Sequence, residues 1–418
     1  MKSLSLVMLA TLAEPAPLLP PYGSDTVVIK AAHVHLGDGN VESPGVVVIR
    51  DGKIIAAGKD PGMPLGSRVI ECGEASSITP GLIDAACQLG TSTLIGWSEQ
   101  LSEVVPQVDL SQAVDHYSRD LEELAREGVT TICLTPEAAS VVGGKGISFK
   151  TAGPPAGRML PAAPFVKANL GPETVFRAGS NTTPFGQSVS FYARRPTTRM
   201  GSAWVFRKAF YDALEYRSKG TTSQDPAVMA VLAEVLDGKV GLRMQAREAH
   251  DFFTCDRLAS EFGLTFTLEY ATEAFQCLDL LAERKIPVIY GPVDPSAGLS
   301  TGFNDPGDLC LTTPVKLKER GIAFCLTAAD QKGENGLCHQ AGLAIRHGLE
   351  ETEALRAVTS VPAQFLGVEK RVGALKPDLD ADLVVWDGPP LFDTSRVKAV
   401  LILGQTVHDP DGLFDAGK

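Results

Sequence analysis

The sequence predicts an α/β chain: a (β/α) barrel carrying a small β-sandwich built from both chain ends. Three observations predict it. Strand-like alternation with hairpin turns occurs at both termini, the apolar period between them switches repeatedly between strand and helix, and 418 residues suit one barrel plus a smaller domain.

Near the N-terminus, Val27-Val28-Ile29-Lys30 and Gly45-Val46-Val47-Val48-Ile49-Arg50 read as half-buried strands, with Asp38-Gly39 and Asp51-Gly52 as turns. Near the C-terminus, Ala381 to Asp387 and Val397 to Gly404 repeat the pattern, and the two ends are expected to share one sandwich. Between them, strands are expected at Gly81 to Ala86, Thr130 to Thr135, Gly241 to Ala246, Leu264 to Tyr270, Pro287 to Gly291 and Ile322 to Thr327. A helix from Ala113 to Glu127 would bury Val114, Tyr117, Leu121, Leu124 and Ala125, ending at Gly128. Another starts at Asp225-Pro226. Thr151 to Arg199 has little periodicity and reads as a surface insertion. The expected division is 1–22 signal and linker, 23–79 with 369–418 sandwich, and 80–368 barrel.

A net charge of −12 without a basic stripe speaks against nucleic acid as a partner. Met1 to Ala13 has the form of a short secretory signal. Export to the periplasm or outside the cell is the expectation, with a cytoplasmic chain as the alternative. No later segment is apolar enough to cross a bilayer. Eight scattered cysteines lack CxxC spacing and are expected as buried free thiols.

Ile78-Thr79-Pro80-Gly81-Leu82-Ile83-Asp84, followed far downstream by Ala354-Leu355-Arg356-Ala357-Val358-Thr359, Pro362-Ala363, Leu366-Gly367 and Asp380-Ala381-Asp382-Leu383-Val384-Val385-Trp386, resembles the amidohydrolase superfamily. Gly128-Val129-Thr130-Thr131, Ala246-Arg247-Glu248 and Ala271-Thr272-Glu273-Ala274 are similar to its imidazolonepropionase-like branch. The resemblance implies a (β/α)8 TIM-type barrel with a composite sandwich and one or two divalent metals at the C-terminal mouth. Such metals lower the pKa of a bound water, and an Asp on the last strand shuttles its proton.

The expected ligand positions have lost their donors. Where the first strand should end Asp-x-His-x-His it reads Asp84-Ala85-Ala86-Cys87-Gln88, and a middle strand that should carry His-Ala-His reads Gln245-Ala246-Arg247. The next ligand falls at Tyr270 and the closing Asp at Thr327, with Asp330 three residues on. Ala86 donates nothing, Gln88 and Gln245 are weak neutral donors, Tyr270 would need deprotonation, and Arg247 repels a metal. No cofactor is therefore expected, with zinc as the alternative.

The expected function is a pseudo-hydrolase, acting as a homo- or hetero-oligomeric partner of an active paralogue or binding a small anionic ligand. The alternative is an active hydrolase of non-peptide C–N bonds, on cyclic amides or dipeptide-like substrates, with a divergent ligand set that includes Glu269 and Asp330. Arg247 is expected to replace the lost metal charge, paired with Asp84, Glu269 or Asp330. His33-Val34-His35 has ligand spacing but lies in a sandwich strand, His250-Asp251 suits a helix start, and Gly143-Gly144-Lys145-Gly146 reads as a tight turn before the strand Ile147 to Lys150. The absence of Gly-x-Ser-x-Gly removes a Ser-His-Asp hydrolase of that type from consideration.

Overall fold

The Asp51-Gly52 pair takes positive φ at both residues, 50° and 75°, as a two-residue hairpin needs, and folds Lys53–Gly58 back on Gly45–Arg50. Val27–Ala31 extends that sheet, antiparallel to Gly45–Arg50 and parallel to Arg68–Glu71. A second sheet runs in the order Gln405–His408, Val397–Ile402, Leu383–Trp386, Ser77–Pro80, His33–His35, Val41–Glu42. Leu383 faces Pro80 and Trp386 faces Ser77, so the chain ends are hydrogen-bonded together. Leu383 and Val385 enter the sandwich core beside Ile29, Val47 and Ile78, while Val384 and Trp386 enter the barrel's core. One strand serving two cores explains its unbroken apolar run. The computed structural model describes residues 26–91, 102–175, 195–221, 223–293 and 308–415. The expected signal segment and most of 176–199 lie outside them.

The barrel wall passes through Leu82–Cys87, Val129–Leu134, a ribbon of Val142–Lys145 and Ile147–Lys150, then Phe165–Asn169, Gly241–Ala246, Thr267–Tyr270, Val288–Tyr290 and Phe324–Leu326. The ribbon is antiparallel to its neighbours, and the remaining wall pairs are parallel. A bond from Gln88 N–H to Ala329 O, 3.0 Å, joins the segment just after the last strand to that just after the first. Alternation decides which side chains meet the axis: Leu242, Met244 and Leu268 pack outward under the helices, while Arg243, Gln245 and Glu269 take the opposite face.

Three expectations are corrected. The stretch from Thr151 to Arg199 is not merely an insertion, because Phe165–Asn169 is a fully buried wall strand and a 21-residue helix, Arg199–Lys219, begins at its end. Lys167 and Asn169 hid the strand, since the inward positions that should read apolar are polar. The helix expected from Ala113 is confined to Arg119–Arg126. Asp115 accepts from Tyr117 N–H and Ser118 from Asp120 N–H, which withdraws these amides from helical pairing and leaves Tyr117 86% exposed. The glycines at 143–146 lie largely in a strand; a Cβ on Gly144 would come within 2.5 Å of Val108 O, and one on Gly146 within 2.1 Å of the Phe165 ring. Close packing, rather than a turn alone, accounts for them.

Candidate functional site at the barrel mouth

Lys167, Arg243 and Glu269 project from three neighbouring strands into the barrel, all nearly inaccessible to solvent. Lys167 Nζ lies 3.2 Å from Glu269 Oε2, and Arg243 Nη1 lies 3.3 Å from Glu269 Oε1 and donates to Ala85 O at 2.7 Å. The Arg243 guanidinium also stacks 3.7 Å over the Phe165 ring. A buried carboxylate is thus held between two cations, the arrangement that makes burial of charge tolerable.

Above this triad, Gln245 Nε2 and Arg247 Nε both donate to Glu173 Oε1, at 3.1 and 3.0 Å. The Arg247 guanidinium stacks on Tyr270, 4.4 Å from the ring centre, with Lys167 Nζ 5.2 Å from the same ring. Burial, with the nearby Glu269 charge, holds the Tyr270 phenol well above its ordinary range, so it is a neutral hydroxyl. Tyr270, Ala271 and Ala329 have φ of 71°, 46° and 54°. Left-handed backbone at non-glycine residues costs on the order of 1–3 kcal/mol each and is found where surrounding contacts over-determine it.

Asp84 closes the far side of the mouth. It accepts from Thr327 Oγ1 at 2.5 Å, Ala86 N–H at 3.0 Å and Ala328 N–H at 2.9 Å, tying the first wall strand to the last. Burial raises its pKa, against those donors. Ala86 is buried and contributes only its amide; Gln88 contributes its own amide to Ala329 O. Asp330 is exposed and accepts from Gln331 at 3.2 Å.

The partner of Arg247 is therefore Glu173, not Asp84, Glu269 or Asp330, because those three are occupied elsewhere or turned to solvent. Glu173, Lys167 and Arg243 escaped sequence reading. The legible signal for the last two was a lone cation at an alternate position in an apolar strand, Phe165-Val166-Lys167-Ala168 and Leu242-Arg243-Met244. Glu173 sits in a single turn after Gly171, and nothing in its local pattern marks it.

Residues 316–407 match the amidohydrolase family model. A curated relative, amidohydrolase tasK of Hapsidospora irregularis, is 24% identical over 358 residues, 77% of this chain; the chain spans 35% of that relative's length. The crystal structure of an amidohydrolase from Thermotoga maritima MSB8 is 27% identical with a TM-score of 0.78, over 92% of this chain and all of that one. A Xaa-Pro dipeptidase with bound methionine (17% identical, TM-score 0.54, 91% and 99% covered) and molinate hydrolase (15%, 0.55, 92% and 95%) share the fold. In its C-terminal sequence and over most of its fold the chain is similar to proteins of the amidohydrolase superfamily.

A superfamily metal would need about three deprotonated donors and an open coordination position at this mouth. The donors present do not fit. Glu269 is held by Lys167 and Arg243, Glu173 is held through Oε1 by Gln245 and Arg247, and Asp84 accepts three hydrogen bonds, so among the described residues no three free donors converge here. Burial raises the thiols of Cys87, Cys133 and Cys325, which keeps them protonated. All eight cysteines are free. Outside the axis, Glu248, His250 and Asp251 bring ligand-type atoms within 4.8 Å of one another. The Arg199 guanidinium already bridges them, 2.7 Å from Glu248 Oε2 and 3.1 Å from Asp251 Oδ1, so a cation is in place. The His33–His35 pair lies in the sandwich, where His33 Nδ1 meets Ser43 Oγ at 2.7 Å.

Proposed function

We propose that this amidohydrolase-like chain is catalytically degenerate and that its barrel mouth binds a small anionic ligand, as a ligand-binding subunit or a partner of an active relative. The observation that carries the reading is Arg247. Its charge stands at the mouth, held by Glu173 and stacked on Tyr270, where hydrolytic members need metal ligands. A fixed guanidinium repels a divalent ion and attracts a carboxylate or phosphate, so Arg247 disfavours the first and favours the second. The internal cations Lys167 and Arg243 add to the same field.

The test is metal content after expression in zinc- and manganese-supplemented medium and dialysis. Less than about a tenth of an equivalent per chain is expected, whereas the one or two equivalents of a hydrolytic centre would overturn the reading.

A further inference from the structure

We infer that Glu173 is a positioning residue that aims the Arg247 fork into the mouth, and that the site so formed selects planar monocarboxylates over tetrahedral oxyanions. This rests on the degenerate-site reading above and names the ligand class and the residue that sets it.

Glu173 meets Arg247 through Nε alone, at 3.0 Å, and among the described residues the two terminal nitrogens of that guanidinium make no hydrogen bond. An arginine held by its Nε edge and by an aromatic face has its outer edge left to bind, and that edge matches the two oxygens of a carboxylate. The Arg247 side chain is 34% exposed, whereas Lys167 is buried and committed to Glu269. Among the described residues Arg247 is the accessible cation of this group, and with its charge shared with Glu173 it suits a monoanion better than a dianion.

Two features show that Glu173 orients rather than blocks. Gln245 donates to the same Oε1 atom at 3.1 Å, which gives the carboxylate a second anchor independent of Arg247. Gly171 makes room for the other oxygen, since a Cβ there would lie 2.4 Å from Glu173 Oε2. A competing pseudo-ligand would instead occupy the fork's paired terminal nitrogens.

The experiment is calorimetric titration of the full chain with sodium acetate, sodium benzoate and sodium phosphate at constant ionic strength. Wild type should bind the carboxylates and prefer them to phosphate. Arg247→Met should abolish binding, and Arg247→Lys, which keeps the charge and loses the fork, should weaken it about tenfold. Glu173→Ala should also weaken carboxylate binding about tenfold and erase the preference over phosphate, whereas Glu173→Gln, whose amide oxygen still accepts from Nε, should stay within about threefold of wild type. Melting temperatures without ligand separate loss of binding from loss of fold, and Gly171→Ala supplies the same displacement if Glu173→Ala does not fold. Unchanged or tighter binding in Glu173→Ala overturns the positioning role. A wild-type protein that is free of metal and binds no carboxylate overturns the ligand class and leaves the degenerate-site reading standing; stoichiometric zinc removes that reading itself.

Discussion

Lys150 Nζ lies 3.0 Å from Asp380 Oδ2 with both side chains sealed from solvent, and Asp382 takes the same ammonium from a second direction. Lys150 ends the ribbon in the barrel wall and the two aspartates lead into the shared sandwich strand, so one cation joins the two domains. Lys53 and Arg371 reach Asp380 from the rim, at 2.6 and 2.7 Å. Lys150→Met strips a buried carboxylate pair of its central cation. It should cost about 3–5 kcal/mol in urea unfolding, and a loss below about 1 kcal/mol would show that the pair is compensated from the rim alone.

The same network predicts acid sensitivity. Burial alone would raise the Asp380 pKa, but Arg371's hydrogen bonds, Lys150's charge and Lys53 outweigh it and hold it at about 2, below the ordinary 3.8. A depressed carboxyl contributes stability above its unfolded pKa and loses it as pH falls through the folded value, so about 2 kcal/mol should disappear between pH 4 and pH 2. Asp382 is raised by burial and shifts the opposite way, which offsets part of the slope. Asp380→Asn should flatten the dependence of unfolding free energy on pH in that window; an unaltered slope would place the acid response elsewhere.

What could be read from sequence alone follows from what each residue packs against. The sandwich strands and most wall strands were legible because Val, Ile and Leu alternate or run unbroken where a face is buried, as in Gly45–Arg50 and Leu383–Trp386. Phe165–Asn169 was not, because its inward residues answer partners from distant strands, Glu269 for Lys167 and Ala138 O for Asn169. The candidate mouth residues Asp84, Gln245, Arg247, Glu269, Tyr270 and Thr327 do assemble around one axis, whereas Asp330 turns to solvent. Which pairs they form depended on Glu173, Lys167 and Arg243, whose roles exist only in three dimensions.

In the internal triad, Glu269 is the hinge between two cations. Glu269→Leu leaves Lys167 and Arg243 buried beside each other and should cost about 3–5 kcal/mol, while Lys167→Met, which leaves the Arg243–Glu269 pair intact, should cost clearly less. Thermal unfolding of both variants ranks them. The reverse order would mean that Arg243 is satisfied by Ala85 O alone.

His35 gives a second, milder pH window. Burial, with the charge of His33 adding to it, lowers its pKa from 6.5 to about 4. A lowered imidazole contributes stability that is complete above pH 6.5 and is lost as pH falls through about 4, at most about 3 kcal/mol and less for its partial solvent contact. Imidazole proton shifts followed by NMR should place its midpoint near 4, and His35→Asn should remove the corresponding slope from the stability profile. A midpoint near 6.5 would mean that the sandwich does not desolvate the ring.

Gly171 offers a test of the mouth that needs no ligand. Its φ is −75°, open to any residue, so the backbone does not demand glycine; what demands it is Glu173 Oε2, 2.4 Å from where a Cβ would stand, with Asn169 Oδ1 at 3.3 Å. Because the nearer atom is the tip of a flexible side chain, Gly171→Ala should swing that carboxylate aside for less than about 1 kcal/mol of global stability. The displaced carboxylate can no longer keep Oε1 at 3.0 Å from Arg247 Nε. In wild type the Arg247 Nε–H should give a slowly exchanging NMR resonance, and in Gly171→Ala that resonance should broaden or vanish while the amide spectrum of the barrel strands is retained. If the Nε–H signal survives unchanged, the Arg247 fork is fixed by Tyr270 stacking alone and Glu173 is dispensable for its orientation.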